Sequence, residues 1–286
     1  MKSVRLGLLF CVASLLASIG LLPAALAQDK EIDHIGNEFA KECIKARPAV
    51  MIVAVADLRD VDGTNNDQGH FLSLILTQAI SLHIKDGLAV AEHNGFDDAL
   101  KTRAISAQSL ATPKSTTVLA GKINLNAVVI GDFRQEPSGY SLHLSAVRVF
   151  DGTVVYSADV KFRHNDFLDS LAKPFPPPEI QQLVKLKTNP TAAEKEVLRP
   201  PVCVRCQTPQ YTSAARGAKL QATVVFDTVI SSEGKIVALR PRKVAGLGLD
   251  EAAYDIITKQ WKMTPGTRDG KPIGTIVPIE VSFRLY

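Results

Sequence analysis

The sequence predicts an α/β unit followed by a smaller α+β unit: an N-terminal mixed sheet covered by helices, then a ββαβ domain. Three observations carry this. Ala49–Ala56, "AVMIVAVA", is an apolar run of strand length, and a helical stripe and a second short strand follow it. Lys173-Pro174-Phe175-Pro176-Pro177-Pro178 then interrupts the chain, because prolines fix extended backbone and remove amide donors. Beyond it, two alternating strands, one helical stripe and a last alternating strand run to the C-terminus.

The N-terminus reads as an export signal. Lys2 and Arg5 precede the apolar run Leu6–Leu22, which Pro23 breaks, and Ala25-Leu26-Ala27 is a small-x-small cleavage site before Gln28. The reading is therefore a signal peptide over 1–27, cut after Ala27, and a periplasmic mature chain. An uncleaved inner-membrane anchor is the alternative, since the apolar run is long enough to span a bilayer. Phe10 disfavours a lipid anchor on Cys11. Loss of Lys2 and Arg5 lowers the 33 basic residues by two against 29 acidic ones, so the mature chain is nearly balanced. Nothing in that balance suggests nucleic acid, which would ask for a basic stripe with interleaved aromatics. Arg240, Arg242 and Lys243 read as a solvated strand end. With 46% apolar residues over 286 positions, the chain can bury two modest cores.

The first domain is expected over 28–172. Ala49–Ala56 suits a strand covered on both faces. Asp57–Asp67 reads as a solvated strand-to-helix loop, because it lacks the acids of an EF-hand at Leu58 and Gly69. Leu72, Ile75, Leu76, Ala79 and Ile80 then form one helical stripe. Leu88–Ala91 is a strand and Phe96–Ile105 a helix, which completes a parallel crossover. Strands follow at 127–133, 140–150 and 153–162. Gln135–Gly139 joins the first two, and Asp151-Gly152 the last two as a tight hairpin with both turn residues at positive φ. The stretch "GKINLNAVVIGDFRQEPSGYSLHLSAVRVFDGTVVYSADV" resembles the small α/β domain shared by the N-terminal part of TolB and by curli-secretion and flagellar accessory proteins. That resemblance implies a cell-envelope protein that binds other proteins.

A Pro-rich linker is expected over 173–201, with Glu179–Pro200 as a semi-rigid spacer. From Pro174 to Pro201 it cannot exceed roughly 90 Å at about 3.3 Å per residue. The second domain follows over 202–286. Leu220, Ala222, Val224 and Phe226 alternate, Ser232-Glu233-Gly234 turns, and Lys235–Val244 returns antiparallel. Leu249, Ala252, Ala253, Ile256, Ile257 and Trp261 line one helical face, with Asp250 and Glu251 in the first turn where the helix dipole favours them. Val277, Ile279, Val281, Phe283 and Leu285 alternate in the last strand.

Pro209-x-Tyr211 with Ala215-Arg216, Gly234, Gly248-Leu249-Asp250, Gln260-Trp-Lys-Met-Thr-Pro265 and Asp269-Gly-Lys-Pro272 together resemble the TonB C-terminal domain family over Pro209–Tyr286. Thr212 and Ala222 depart from the family pattern, which has Pro and Gly at those places. The resemblance implies that the domain receives an extended peptide of an envelope or outer-membrane protein by strand addition. The residues carried over are Ile276, Val277, Pro278, Ile279, Glu280, Val281, Ser282, Phe283, Arg284 and Leu285, and a structural strand is the competing reading. A homodimer stays open. With a cleaved signal and a short spacer, the chain reads as a periplasmic adaptor. An uncleaved N-terminus would make it a TonB-like energy transducer instead.

Cys203 and Cys206 allow three readings. Zinc wants four ligands, and no histidine lies between Pro174 and Tyr286. A redox pair wants a helix N-terminus after a strand, and two prolines precede this pair. A small disulfide loop remains, with Cys43 as a buried thiol. The six histidines show no ligand spacing, so no metal, cofactor or small-molecule substrate is assigned. Ser170-x-x-Lys173 lacks companion motifs, so no catalytic residue is named. An envelope enzyme with an unrecognised site in the first domain is the reading from another class.

Overall fold

The computed structural model describes residues 24–45, 51–84, 87–105, 125–180, 183–186 and 197–285. Most of the expected signal segment lies outside them. Among the described residues no helix is long and apolar enough to cross a membrane.

Helix α1 (Ala24–Lys45) begins before the expected cleavage position. It was not anticipated, yet Ile32, Ile35, Phe39 and Cys43 recur at spacings of three and four and are buried. This stripe packs on α2 (Asp67–Leu82) and on β5 (Val154–Arg163), where Phe39 meets Tyr156 edge-on at 5.9 Å. Strand β1 (Met51–Val55) pairs in parallel with both β2 (Leu88–Val90) and β3 (Ala127–Glu136). β4 (Gly139–Arg148) and β5 continue antiparallel, giving the order β2-β1-β3-β4-β5. α1 and α2 cover one face, while α3 (His93–Thr102) covers the other with Phe96 and Leu100 against Ala54, Ala56 and Val128. β1 is thus buried on both sides, as its unbroken apolar run requires.

The Asp151-Gly152 hairpin is wider than expected. Only Gly152 of the pair has positive φ (72°), and the loop runs from Val149 to Thr153. The cause is the Asp151 carboxylate, which accepts from Arg148 Nε (2.9 Å) and from the Thr153 amide (3.0 Å) and so builds a side-chain turn in place of a backbone one.

After β5, helix α4 (Asp166–Leu171) is capped by Asn165, whose side chain accepts from the Leu168 amide at 2.7 Å. Two tiny strands, β6 (Val184–Lys185) and β7 (Leu198–Arg199), precede β8 (Cys203–Arg205) and the short helix α5 (Ser213–Gly217). The ββαβ unit then follows: β9 (Ala222–Ile230), β10 (Ile236–Lys243), α6 (Leu249–Gln260), the short strands β11 (Lys262–Met263), β12 (Gly266–Arg268) and β13 (Lys271–Ile273), and β14 (Thr275–Phe283). The fold class is the one expected, α/β followed by α+β.

The described parts of the Pro-rich stretch are not free. β6 joins the second sheet, of order β10-β9-β14-β6, and β7 joins β12. The two sheets also share a core, in which Phe167 of α4 stacks on Tyr254 (4.8 Å), meets Phe226 edge-on (5.6 Å) and packs tilted against Phe71 (4.7 Å). Two expectations are corrected here. Arg240 is not solvated but 8% exposed, because it bridges the two halves of the molecule. Trp261 sits just past α6 in extended backbone, half-buried, and donates its indole N–H to the Gln207 carbonyl at 2.8 Å.

Candidate docking edge

The last strand is long because its sequence alternates cleanly. Ile279, Val281 and Phe283 are buried in the core, while Glu280, Ser282 and Arg284 are exposed on the far face. β14 pairs with β9 along its whole length, from Thr275↔Ile230 to Phe283↔Ala222. Its core face is braced at the far end, where the Phe283 ring meets Tyr211 edge-on at 5.5 Å. Tyr211 donates its hydroxyl to the Leu220 carbonyl at 2.9 Å, and the Arg216 guanidinium lies over its ring at 5.8 Å. The Pro-x-Tyr and Ala-Arg pieces of the motif thus set the strand's position.

The outer edge divides in two. Val184 donates its amide to the Gly274 carbonyl and Leu186 donates to Ile276, both at 3.0 Å, so β6 covers the edge at Thr275–Ile276. Successive residues of an extended strand aim their backbone groups to opposite sides. If Ile276 faces outward, then Pro278, Glu280 and Ser282 do too, while Val277, Ile279, Val281 and Phe283 face β9. Among the described residues, no strand pairs with this edge beyond Ile276. Pro278, which lacks an N–H, falls on the open side, where a strand tolerates it. Of the ten residues expected to form the edge, Ile276 already has its carbonyl engaged. Arg284 and Leu285 lie just past the strand's end.

The remaining motif residues hold the frame. Gly234 turns at φ 80°, and a Cβ there would stand 2.4 Å from the Met263 carbonyl. Gly248 caps α6 at φ 77°. Asp250, fully buried, accepts from the amides of Ala245 (3.0 Å) and Gly246 (2.6 Å), which ties the loop after β10 to α6. Asp269 and Gly270 are both at positive φ and form a tight hairpin between β12 and β13. Cys203 and Cys206 are joined as a disulfide with a Cα–Cα distance of 6.0 Å. Their strand β8 pairs with β11, and Thr264 donates its amide to the Val202 carbonyl at 2.8 Å. Cys43 is free and buried, and burial pushes its thiol up to about 12. Ser170 donates to the Phe167 carbonyl at 2.6 Å, so the Ser-x-x-Lys spacing is a helix end. A cleft of about 390 Å³ lies between the Pro-rich turn and β10, with Lys173, Glu179 and Arg240 as its charged side chains.

Residues 207–285 match the family described as the Gram-negative bacterial TonB protein C-terminal. The resemblance read from Pro209 to Tyr286 is borne out. The chain is 27% identical over 106 residues to "Protein TonB" of Vibrio cholerae serotype O1, a match that takes in 34% of this chain and 43% of that protein. The chain thus spans less than half the length of that curated relative. Among solved structures it is similar to the LpoB C-terminal domain from Salmonella enterica, with 13% identity and a TM-score of 0.38, over 48% of this chain and 98% of that one. It is also similar to TolB from Acinetobacter baumannii, with 13% identity and a TM-score of 0.27, over 42% of this chain and 25% of that one.

Proposed function

We propose that this protein is a non-enzymatic interaction adaptor of the Gram-negative envelope, which binds an extended segment of an envelope or outer-membrane protein along the open edge of β14. The observation that carries this reading is that β14, beyond Ile276, pairs with β9 on one side and with no described strand on the other, within a segment that matches the TonB C-terminal family. An incoming strand meets full donor–acceptor pairs at Glu280 and Ser282 and a lone carbonyl at Pro278. A segment of about six residues would satisfy them, with main-chain bonds giving affinity and side-chain alternation giving specificity. The signal peptide ends at Ala27, and the mature chain works in the periplasm.

The test is site-specific photocrosslinking in cells, with the probe at Ser282 and, for comparison, at exposed Val237 on the opposite edge strand. An envelope protein captured from Ser282 and not from Val237 is the expected result. Capture only of a second copy of the chain would replace the adaptor with a homodimer, and equal yields from both positions would discard the edge. N-terminal sequencing of the fractionated protein accompanies it. Gln28 as the first residue is expected, whereas Met1 retained in the inner membrane would turn the reading to an anchored energy transducer.

A further inference from the structure

The first domain carries a constellation that the docking edge does not use. Asp57 lies two residues past the end of β1, and His93 opens α3 just after β2. His70 stands in the first turns of α2, and Asp97 one turn beyond His93. All four therefore gather at the carboxyl ends of two parallel strands, where the following helices begin. Open α/β sheets keep their ligand sites at that end.

Asp57 Oδ1 lies 2.9 Å from His70 Nδ1 and 2.9 Å from His93 Nε2, and Asp97 Oδ2 lies 3.4 Å from the same His93 nitrogen. One ligand atom from each of the four residues falls within 4.8 Å of every other. A tetrahedron of N and O ligands at about 2.0–2.1 Å from zinc has edges of about 3.4 Å, so small side-chain shifts convert one arrangement into the other.

Three further features separate this cluster from an ordinary ion pair. His143–Asp159, His164–Asp169 and His83–Asp33 each bring one imidazole to one carboxylate, and their side chains are 28% exposed or more. Here two of each converge, and the His93 side chain is 2% exposed. The His93 Nδ1 is buried and has no hydrogen-bond partner among the described residues, so the ring is placed for what its Nε2 faces and not to satisfy both nitrogens. Asp57 Oδ1 alone takes three neighbours, the two imidazoles and Ser73 Oγ at 3.1 Å. The two carboxylates carry the charge that one divalent cation balances, and the two imidazoles add nitrogen ligands. The Asp57 and His70 side chains, 20% and 33% exposed, leave an entry side.

We propose that Asp57, His70, His93 and Asp97 bind one divalent zinc-class ion, with two imidazole nitrogens and two carboxylates as ligands. The ion would clip the loop after β1 to the starts of α2 and α3, and so stabilise the first domain. Imidazole with carboxylate suits zinc and its neighbours cobalt and nickel, and the small ligand number argues against calcium.

The test uses the full oxidised chain, free of any histidine tag, titrated with zinc against a chromophoric chelator and with cobalt by absorption spectroscopy. One equivalent of zinc per chain is expected, with the intense visible bands of tetrahedral cobalt. Zinc at a hundredfold its dissociation constant should favour the folded state about 100-fold and raise the melting temperature accordingly. Asp97→Asn and His70→Ala, both at partly exposed side chains, should each weaken zinc binding at least tenfold. His93→Gln should abolish it, and if that variant does not fold, the other two decide. Substoichiometric binding by the unaltered chain, or binding undiminished in both Asp97→Asn and His70→Ala, overturns the site.

Discussion

The guanidinium of Arg240, on β10, forms an ion pair with the carboxylate of Asp67, in the first turn of α2. The two residues are 173 positions apart, and the pair joins β10 of the second sheet to the helix that covers the first. Arg240 also donates to the carbonyls of Lys173 and Leu239, and it lies 5.1 Å from the centre of the Phe175 ring. One side chain thus fastens the Pro-rich turn to both halves.

Removing it leaves those carbonyls without their donor, so Arg240→Met should lower stability by about 2 kcal/mol, the scale of hydrogen bonds to a charged group. Arg240→Lys keeps the charge but not the fork, and should recover only part of the loss. Arg242 pairs with Asp227 at a half-exposed place, and Arg242→Ala should cost no more than about 1 kcal/mol. Urea unfolding midpoints at constant slope would rank the three. Equal losses at Arg240 and Arg242 would contradict the bridging role.

What the sequence made legible follows the range of the forces involved. The alternation of β9 and β14 is visible because a half-buried sheet imposes a period of two on its own residues. A tight Asp-Gly hairpin forms at 269–270, a stretch the sequence marks only as part of the family motif, and there no described side chain competes with the backbone turn. The Asp-Gly rule misses at 151–152, where Arg148 and Thr153 capture the Asp151 carboxylate. Arg240 reads as solvated because its partner is distant in the chain. Asp57, His70, His93 and Asp97 are invisible for the same reason. Only His93 with Asp97, four apart on one helix, leaves a local trace.

The disulfide should prove a local clamp. It closes a ring of four residues, so replacing both Cys203 and Cys206 by Ser should cost no more than about 2 kcal/mol. Mass spectrometry of a non-reduced digest should find these two bridged. Cys43, buried with its thiol pushed up to about 12, should resist alkylation until the chain is unfolded. Rapid labelling of Cys43 in the native protein would contradict the packing of α1.

His164 gives a pH dependence of known sign. Its Nδ1 meets Asp169 Oδ1 at 3.0 Å and its Nε2 meets the Glu136 carbonyl at 2.8 Å, and these two bonds raise it above its ordinary value of 6.5. A histidine raised on folding contributes stability that is complete below the unfolded value and is lost as pH climbs through the folded one. The melting temperature of wild type should therefore exceed that of His164→Ala most at pH 6 and least at pH 9. A gap constant across that range would mean that the ring acts by packing on Tyr140 alone, whose centroid lies 5.1 Å away.

The edge itself is tested by the contrast between inward and outward amides of one strand. By the alternation of the strand the Ser282 amide points away from β9, so Ser282→Pro removes an amide that pairs with no described strand, together with one exposed side-chain hydrogen bond between Ser282 Oγ and Thr223 Oγ1 at 3.1 Å. Its fixed φ near −65° is tolerable at an edge, where Pro278 already sits two positions outward in register. Val281→Pro would delete an amide aimed at β9 and should unfold the second sheet. If a partner strand docks on β14, Ser282→Pro should lose at least tenfold in partner affinity while its circular dichroism and melting stay near wild type. A folded Ser282→Pro variant that binds undiminished would move the docking surface elsewhere on the domain.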